Sequence, residues 1–174
     1  TMWNRHGSKL TIAHCFKDAL DELRDLADEG LIWADCEALE RRHQIARGTL
    51  IVLDASAVLT VLQEEPGSVH VEAHLRTACI STVNLAEVVT KLQDRGFTDA
   101  EIDEALSLLD LDVRPFDEVC AILAGKLRGT TRHAGLSLGD RACLALAQSL
   151  GATALTTDRA WDALDIGIRI ELAR

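Results

Sequence analysis

At 174 residues, with 48% apolar and 26% charged side chains and two prolines, the chain is long enough for one domain with a real core, or one domain plus an appendage, and is too apolar to be disordered. Aromatic side chains make up 3% and tyrosine is absent, which argues against a platform of rings that stacks nucleic-acid bases. The formal net charge of −10 repels phosphate and argues against nonspecific nucleic-acid binding, unless some carboxylates hold a divalent cation that inverts the local field.

The chain reads as two regions, 1–48 and 49–174. In the first, "AHCFKDALDELRDLADEGLIWADCEALERRHQIAR" (13–47) has helical periodicity, with Phe16, Leu20, Leu23 and Ala27 on one face. A break at Gly30 precedes a second candidate helix from Asp35 that carries Leu39 and Ile45. From Leu50 onward, apolar runs at 50–55, 78–82, 111–116, 153–157 and 168–172 alternate with helical patterns near 57–63, 68–76, 83–95, 99–109, 117–128, 139–150 and 159–164. Such alternation predicts an α/β fold, a mainly parallel sheet covered by helices on both faces.

The five cysteines are scattered without a C-x-x-C pair, so they read as small buried hydrophobes in a reducing compartment. No apolar run approaches the roughly 18 residues of a membrane span, and no signal-peptide pattern opens the chain. The expectation is a soluble, cytoplasmic protein without a membrane partner.

In a parallel sheet, ligands gather at the carboxyl ends of the strands. Asp54 closes "LIVLD" and Asp158 closes "TALTTD"; Glu87 lies one turn into the helical "STVNLAEVVTKL", and Asp140 begins "GDRACLALAQSLG". Carboxylates about 5 Å apart repel by roughly 3 kcal/mol per pair at an effective dielectric near 20. A divalent cation removes that conflict, and all-oxygen ligands select Mg²⁺ or Mn²⁺ over zinc. Two such ions are the arrangement by which nucleases activate water and stabilise a leaving oxygen.

Plainer roles compete at two of these positions. Asp140 and Asp158 could each simply cap a helix. Glu87, on the apolar face of "VNLAEVV", and Asp54, between "LIVL" and "ASAVL", are harder to explain that way. Elsewhere, "HVEAH" sets His70 and His74 at a zinc-compatible i, i+4 spacing, but with no third ligand nearby in sequence it reads as an exposed helix face. Glu101, Asp103 and Glu104 read as a solvated first turn. "LRGTTRHAG" (127–135) reads as a basic, glycine-punctuated loop that either holds a substrate phosphate through Arg128 or Arg132 or is only a loop.

The segments "IVLDASAVL", "ISTVNLAEVVTKL" and "LSLGDRACLALAQSLGATALTTDRAWDAL" together resemble the PIN-domain ribonucleases, most closely the VapC-type toxins of toxin–antitoxin systems, over about 125 residues from Leu50 to Arg174. The resemblance implies a PIN-like three-layer α/β/α fold and a Mg²⁺-dependent endoribonuclease, in which Mn²⁺ can substitute, that cleaves RNA such as tRNA or rRNA and arrests translation. It makes Asp54, Glu87, Asp140 and Asp158 the metal-binding catalytic acids. Ser56 and Thr157 become polar neighbours that orient water or a carboxylate, Asn84 a hydrogen-bonding partner within the cluster, and Asp162 an outlying acid. It also implies a homodimer and a cognate antitoxin whose C-terminal tail blocks the site.

Two other functions compete. A catalytically silent PIN module would bind partners without cutting, but it should lack one of the acids. A haloacid-dehalogenase-like phosphohydrolase would use Asp54 with Asp158 and Asp162, but it needs an acid where Ser56 stands.

Residues 1–48 depart from the family pattern. They could be an antitoxin-like segment whose Arg41, Arg42 or Arg47 reaches the acidic pocket, or a helical extension that supports the dimer. Alternatively the start is set too far upstream, and "HGSKL" resembles a cloning junction. The antitoxin-like or accessory helical segment is the preferred reading.

Overall fold

In the computed structural model of the chain, residues 50–174 are described; the readings made for residues 1–48 lie outside the described residues. Five short strands, β1 (Ile51–Leu53), β2 (Ala78–Ser81), β3 (Asp112–Arg114), β4 (Thr153–Thr156) and β5 (Arg169–Leu172), form one parallel sheet in the order β3-β2-β1-β4-β5. β1 is apolar at every position because both of its faces are covered. Leu50 and Val52 enter one core cluster, and Ile51 and Leu53 enter the other.

Among the described residues, six helices cover the sheet: α1 (Ala55–Leu62), α2 (Ser68–Glu72), α3 (Thr82–Asp94), α4 (Asp99–Leu109), α5 (Glu118–Thr131) and α6 (Leu138–Leu150). Residues of α5 and α6 pack with Val52, Cys79 and Ala154 on one face. Residues of α1 to α4 pack with Leu53, Ile80 and Leu155 on the other. The result is the expected α/β/α sandwich. The chain leaves β1 for β2 on one side, whereas β4 pairs with β1 on the other. Strand order therefore reverses at β1, and that reversal opens a crevice at the carboxyl ends of β1 and β4.

Several boundaries differ from the sequence pattern for local reasons. β1 stops at Leu53 because the Asp54 side chain accepts from Ser56 N, caps α1 and starts that helix earlier than its periodicity implies. The segment 68–76 holds only the short α2 and a 3-10 turn at Leu75–Thr77, and 159–164 holds a single 3-10 turn at Arg159–Trp161. The basic loop expected at 127–135 is mostly helical. α5 continues through Thr131, whose hydroxyl donates to Leu127 O at 2.8 Å, and Leu127 and Thr131 lie on its buried face. Gly129 alone does not break a helix supported by packing. The helical path ends in the 3-10 turn Arg132–Ala134 at Gly135, whose φ of 71° favours glycine. The acids at 99–104 do open a helix, with Thr98 and Glu101 forming a capping box.

Candidate metal and active site

Asp54 sits at the crevice, 4% exposed, and its two carboxylate oxygens are treated unequally. Oδ2 accepts from Ser56 N (3.2 Å), Ser56 Oγ (2.6 Å) and Thr156 Oγ1 (3.1 Å). Oδ1 accepts only from Asn84 Nδ2 (3.2 Å), a group that also donates to Gly139 O (3.1 Å). Asn84 is fully buried, and its own amide oxygen has no hydrogen-bond partner.

Glu87 and Asp140 complete the core of the site. Glu87, half-buried on α3, lies so close to α6 that a Cβ at Gly139 would collide with its Oε2. Asp140 is not the cap of α6 but its third residue. Ser137 is the cap, its hydroxyl accepting from Asp140 N at 3.1 Å, and Asp140 Oδ2 reaches back to Ser137 N at 2.6 Å. This reciprocal pair fixes the Asp140 carboxylate by one oxygen.

The electrostatics join these three acids. Burial raises the pKa of Asp54, and the charge of Asp140 adds to that, while hydrogen bonds from Ser56 and Thr156 oppose it. Burial also raises Glu87, followed by the charges of Asp54 and Asp140; Lys91, one turn further along α3, pulls it down. Beneath them the buried Cys143 thiol donates to Val52 O at 3.8 Å and is pushed well above the ordinary thiol range, by burial first and then by the charge of Asp54. Cys79 and Cys120 are buried as well, in keeping with their reading as small core residues.

Asp158 stands at the rim. It is exposed and caps the turn at 159–161 through Ala160 N (2.9 Å), and its own N–H donates to Thr156 Oγ1 (3.1 Å). Thr156 thus links Asp158 to Asp54. Its hydroxyl stands where the sequence pattern placed Thr157, whose contribution is a backbone N–H given to Ser56 Oγ at 3.1 Å. Register explains this, because Leu53 pairs with Leu155 and so Asp54 and Thr156 come next on the same face. Asp162 closes the 159–161 turn and is exposed. Arg128 and Arg132 lie at the end of α5 and in the turn after it, exposed, with Arg128 Nη1 donating to Leu136 O at 3.3 Å. Ser137 and Gly139 also belong to the site, and of the two only Ser137 has a signal in the sequence, the capping-box pattern of "SLGD".

The oxygens of the acids do not form a tight knot. Among the described residues, the group of three possible ligands with all ligand atoms within 4.8 Å of one another is His70, His74 and Glu171. Direct approach of every acid is not required for Mg²⁺, which keeps several of its waters. The donor set fits a hard divalent cation: three carboxylates, two of them held above their ordinary pKa, an Asp54 oxygen with one donor, and a buried amide oxygen with none.

No helix among the described residues is long and apolar enough to cross a membrane. Residues 51–167 match the family model of the PIN domain. No curated protein matches the chain. Similar solved structures include VapBC2 from Rickettsia felis bound to a promoter DNA fragment, with 17% identity and a TM-score of 0.57, covering 71% of this chain and 98% of that one. DNA-bound VapBC from Salmonella typhimurium is similar at 21% identity and a TM-score of 0.54, covering 72% and 98%. A toxin–antitoxin complex from Klebsiella pneumoniae matches at 14% identity and a TM-score of 0.56, covering 71% and 98%. At these identities the likeness is one of fold.

Proposed function

This chain belongs to the PIN-domain family, and we propose that it is a VapC-like toxin, a metal-dependent endoribonuclease that cuts RNA such as tRNA or rRNA in the cytoplasm and is restrained by a cognate antitoxin. The observation that carries the reading is the meeting of Asp54, Glu87 and Asp140 at one crevice, with the carboxyl groups of Asp54 and Glu87 held above their ordinary pKa and one lightly bonded Asp54 oxygen. Asp54, Glu87 and Asp140 would hold Mg²⁺ or Mn²⁺, with Asp158 at the rim. Bound there, the cation supplies Lewis-acid stabilisation of charge building on a phosphodiester.

The chain's own groups prepare that site. Ser56 and Thr156 fix the rotation of the Asp54 carboxylate by occupying Oδ2, which leaves Oδ1 for the ligand. Asn84 ties Asp54 to the backbone of α6 at Gly139, and the Ser137 pair holds Asp140. Arg128 and Arg132 are the proposed contacts to RNA phosphates, offering positive charge on an otherwise acidic chain. An antitoxin partner is proposed because the similar structures are toxin–antitoxin complexes. A homodimer, and an antitoxin-like or accessory role for residues 1–48 ahead of the PIN nuclease domain at 49–174, complete the proposal.

The test incubates the purified chain with total RNA in Mg²⁺, Mn²⁺ or EDTA, maps the cut ends and repeats the assay with Asp54→Asn. Cleavage that needs the metal and is lost in the variant is expected. A folded chain that never cuts RNA would instead favour the silent binding module.

A further inference from the structure

The geometry points to a second metal site, on the opposite face of the sheet from α6, made of His70, His74 and Glu171 and suited to a zinc-type cation. The i, i+4 histidines do have a third ligand, supplied from 101 positions along the chain in the case of His70. Leu155 pairs with Glu171, so the Glu171 carboxylate rises from the edge strand on the side of Leu53 and Leu155, where α1 to α4 pack. Its Oε1 lies 2.6 Å from His70 Nε2 and 3.7 Å from His74 Nε2. The two rings meet edge-to-face with centroids 5.2 Å apart.

These distances suit a bound ion. With zinc bonds of about 2.0–2.1 Å, ligand atoms of a tetrahedral site stand about 3.3 Å apart, and the two observed separations bracket that value. A shift of the flexible Glu171 tip away from His70 and toward His74 would equalise them. The backbone beneath is held in place. Val71, between the histidines, is fully buried, and Arg174 bonds Glu65 at 3.0 Å. Gly67, just before α2, passes so close to the chain end that an added Cβ would lie 2.7 Å from Ala173 O. The three side chains are 44%, 31% and 35% exposed, so an ion can enter and a water can take the fourth position.

Ligand chemistry separates this site from the acidic crevice. Two imidazoles and one carboxylate favour Zn²⁺, Co²⁺, Ni²⁺ or Cu²⁺, whereas Mg²⁺ prefers oxygen alone. Asp54 follows β1 and Glu171 lies on β5, with β4 between them. A bound ion would clip α2 to the edge strand, and it does so whether or not the crevice cuts RNA.

The experiment uses the full chain without added histidines. Zinc uptake is measured by competition with a chromogenic chelator in excess Mg²⁺, and Co²⁺ is followed by its visible spectrum. The unchanged chain should bind one extra equivalent of zinc with a rise in Tm, and Co²⁺ should give the intense band of four-coordination. Losing a partner of a metal ligand commonly costs 10–100-fold in affinity, so losing a ligand itself in His74→Ala or Glu171→Gln should weaken zinc by at least about a hundredfold. Asp54→Asn should keep the Co²⁺ band. Circular dichroism confirms that the variants fold, and His74→Gln serves as a milder substitute for His74→Ala. Equal zinc affinity in the folded histidine variants, loss of the band in Asp54→Asn, or no four-coordinate band in the unchanged chain would each overturn the assignment.

Discussion

Gly139→Ala isolates the position of a single carboxylate. A Cβ at this helical residue would meet Glu87 Oε2 well inside van der Waals contact, while its next neighbours, Ser137 Oγ at 3.5 Å and Glu87 Cδ at 3.6 Å, are ordinary contacts. Only the tip of Glu87 has to yield, by about 1 Å if it is to regain a normal separation. Because the yielding atom ends a flexible side chain on α3, the fold should absorb the change. Replacing glycine in a helix by alanine even contributes up to about 0.5–1 kcal/mol, and less near a helix end. Catalysis is less forgiving: a 1 Å misplacement can cost about a hundredfold, equivalent to about 2.7 kcal/mol in the barrier. The expected outcome is therefore RNA cleavage reduced by about two orders of magnitude with Tm unchanged or slightly raised. The assay is single-turnover cleavage of a mapped RNA at saturating Mg²⁺, beside thermal unfolding in EDTA. Cleavage equal to that of the unchanged chain refutes the placement of Glu87 in the site, and unfolding of the variant refutes the claim that only its tip moves.

Thr156→Val should cost about 1–3 kcal/mol in urea unfolding, since it takes a donor from Asp54 Oδ2 and the acceptor from Asp158 N, whereas Thr157→Val, whose link is through its backbone, should stay within about 0.5 kcal/mol; the reverse order would refute the register argument. Asp54 and Glu87 are held above the ordinary values of 3.8 and 4.5, so each contributes stability that is present below those values and is lost as pH rises through its raised pKa. In EDTA, the Tm of the unchanged chain should therefore fall relative to Asp54→Asn/Glu87→Gln as pH rises from about 4, and Mg²⁺ should restore it with an affinity that grows with pH; a Tm difference that ignores pH would count against the cluster. Asp158→Asn should weaken cleavage and Asp162→Asn should leave it unchanged, because Asp158 is tied to Asp54 through Thr156 and Asp162 is not; equal effects in the cleavage assay would refute this distinction.

Alternation of apolar runs and helical stretches was enough to reveal the parallel sheet, because a strand covered on both faces must be apolar throughout. Asp54 was legible for the same reason, as a charge at the end of such a run. What escaped the sequence depended on contacts distant along the chain. Thr156 and Thr157 are neighbours of one type, and only the pairing of β1 with β4 decides which hydroxyl faces Asp54. Glu171 reaches His70 only after β5 docks on β4. At 127–135, the basic, glycine-punctuated pattern reads as a loop, but the buried face through Leu127 and Thr131 keeps the backbone helical.

The Cys143 thiol, sealed between α6 and β1 under the acids, gives the protein a built-in clock for its own breathing. A thiol must ionise to react, and here burial first, and then the charge of Asp54, hold the thiol in its neutral form. A maleimide reagent added to the native protein will therefore mark Cys143 only in molecules whose α6 has lifted from the sheet. The rate of marking, read by peptide mass, counts those openings, and a cation that ties Asp140 on α6 to Asp54 beside β1 should slow it.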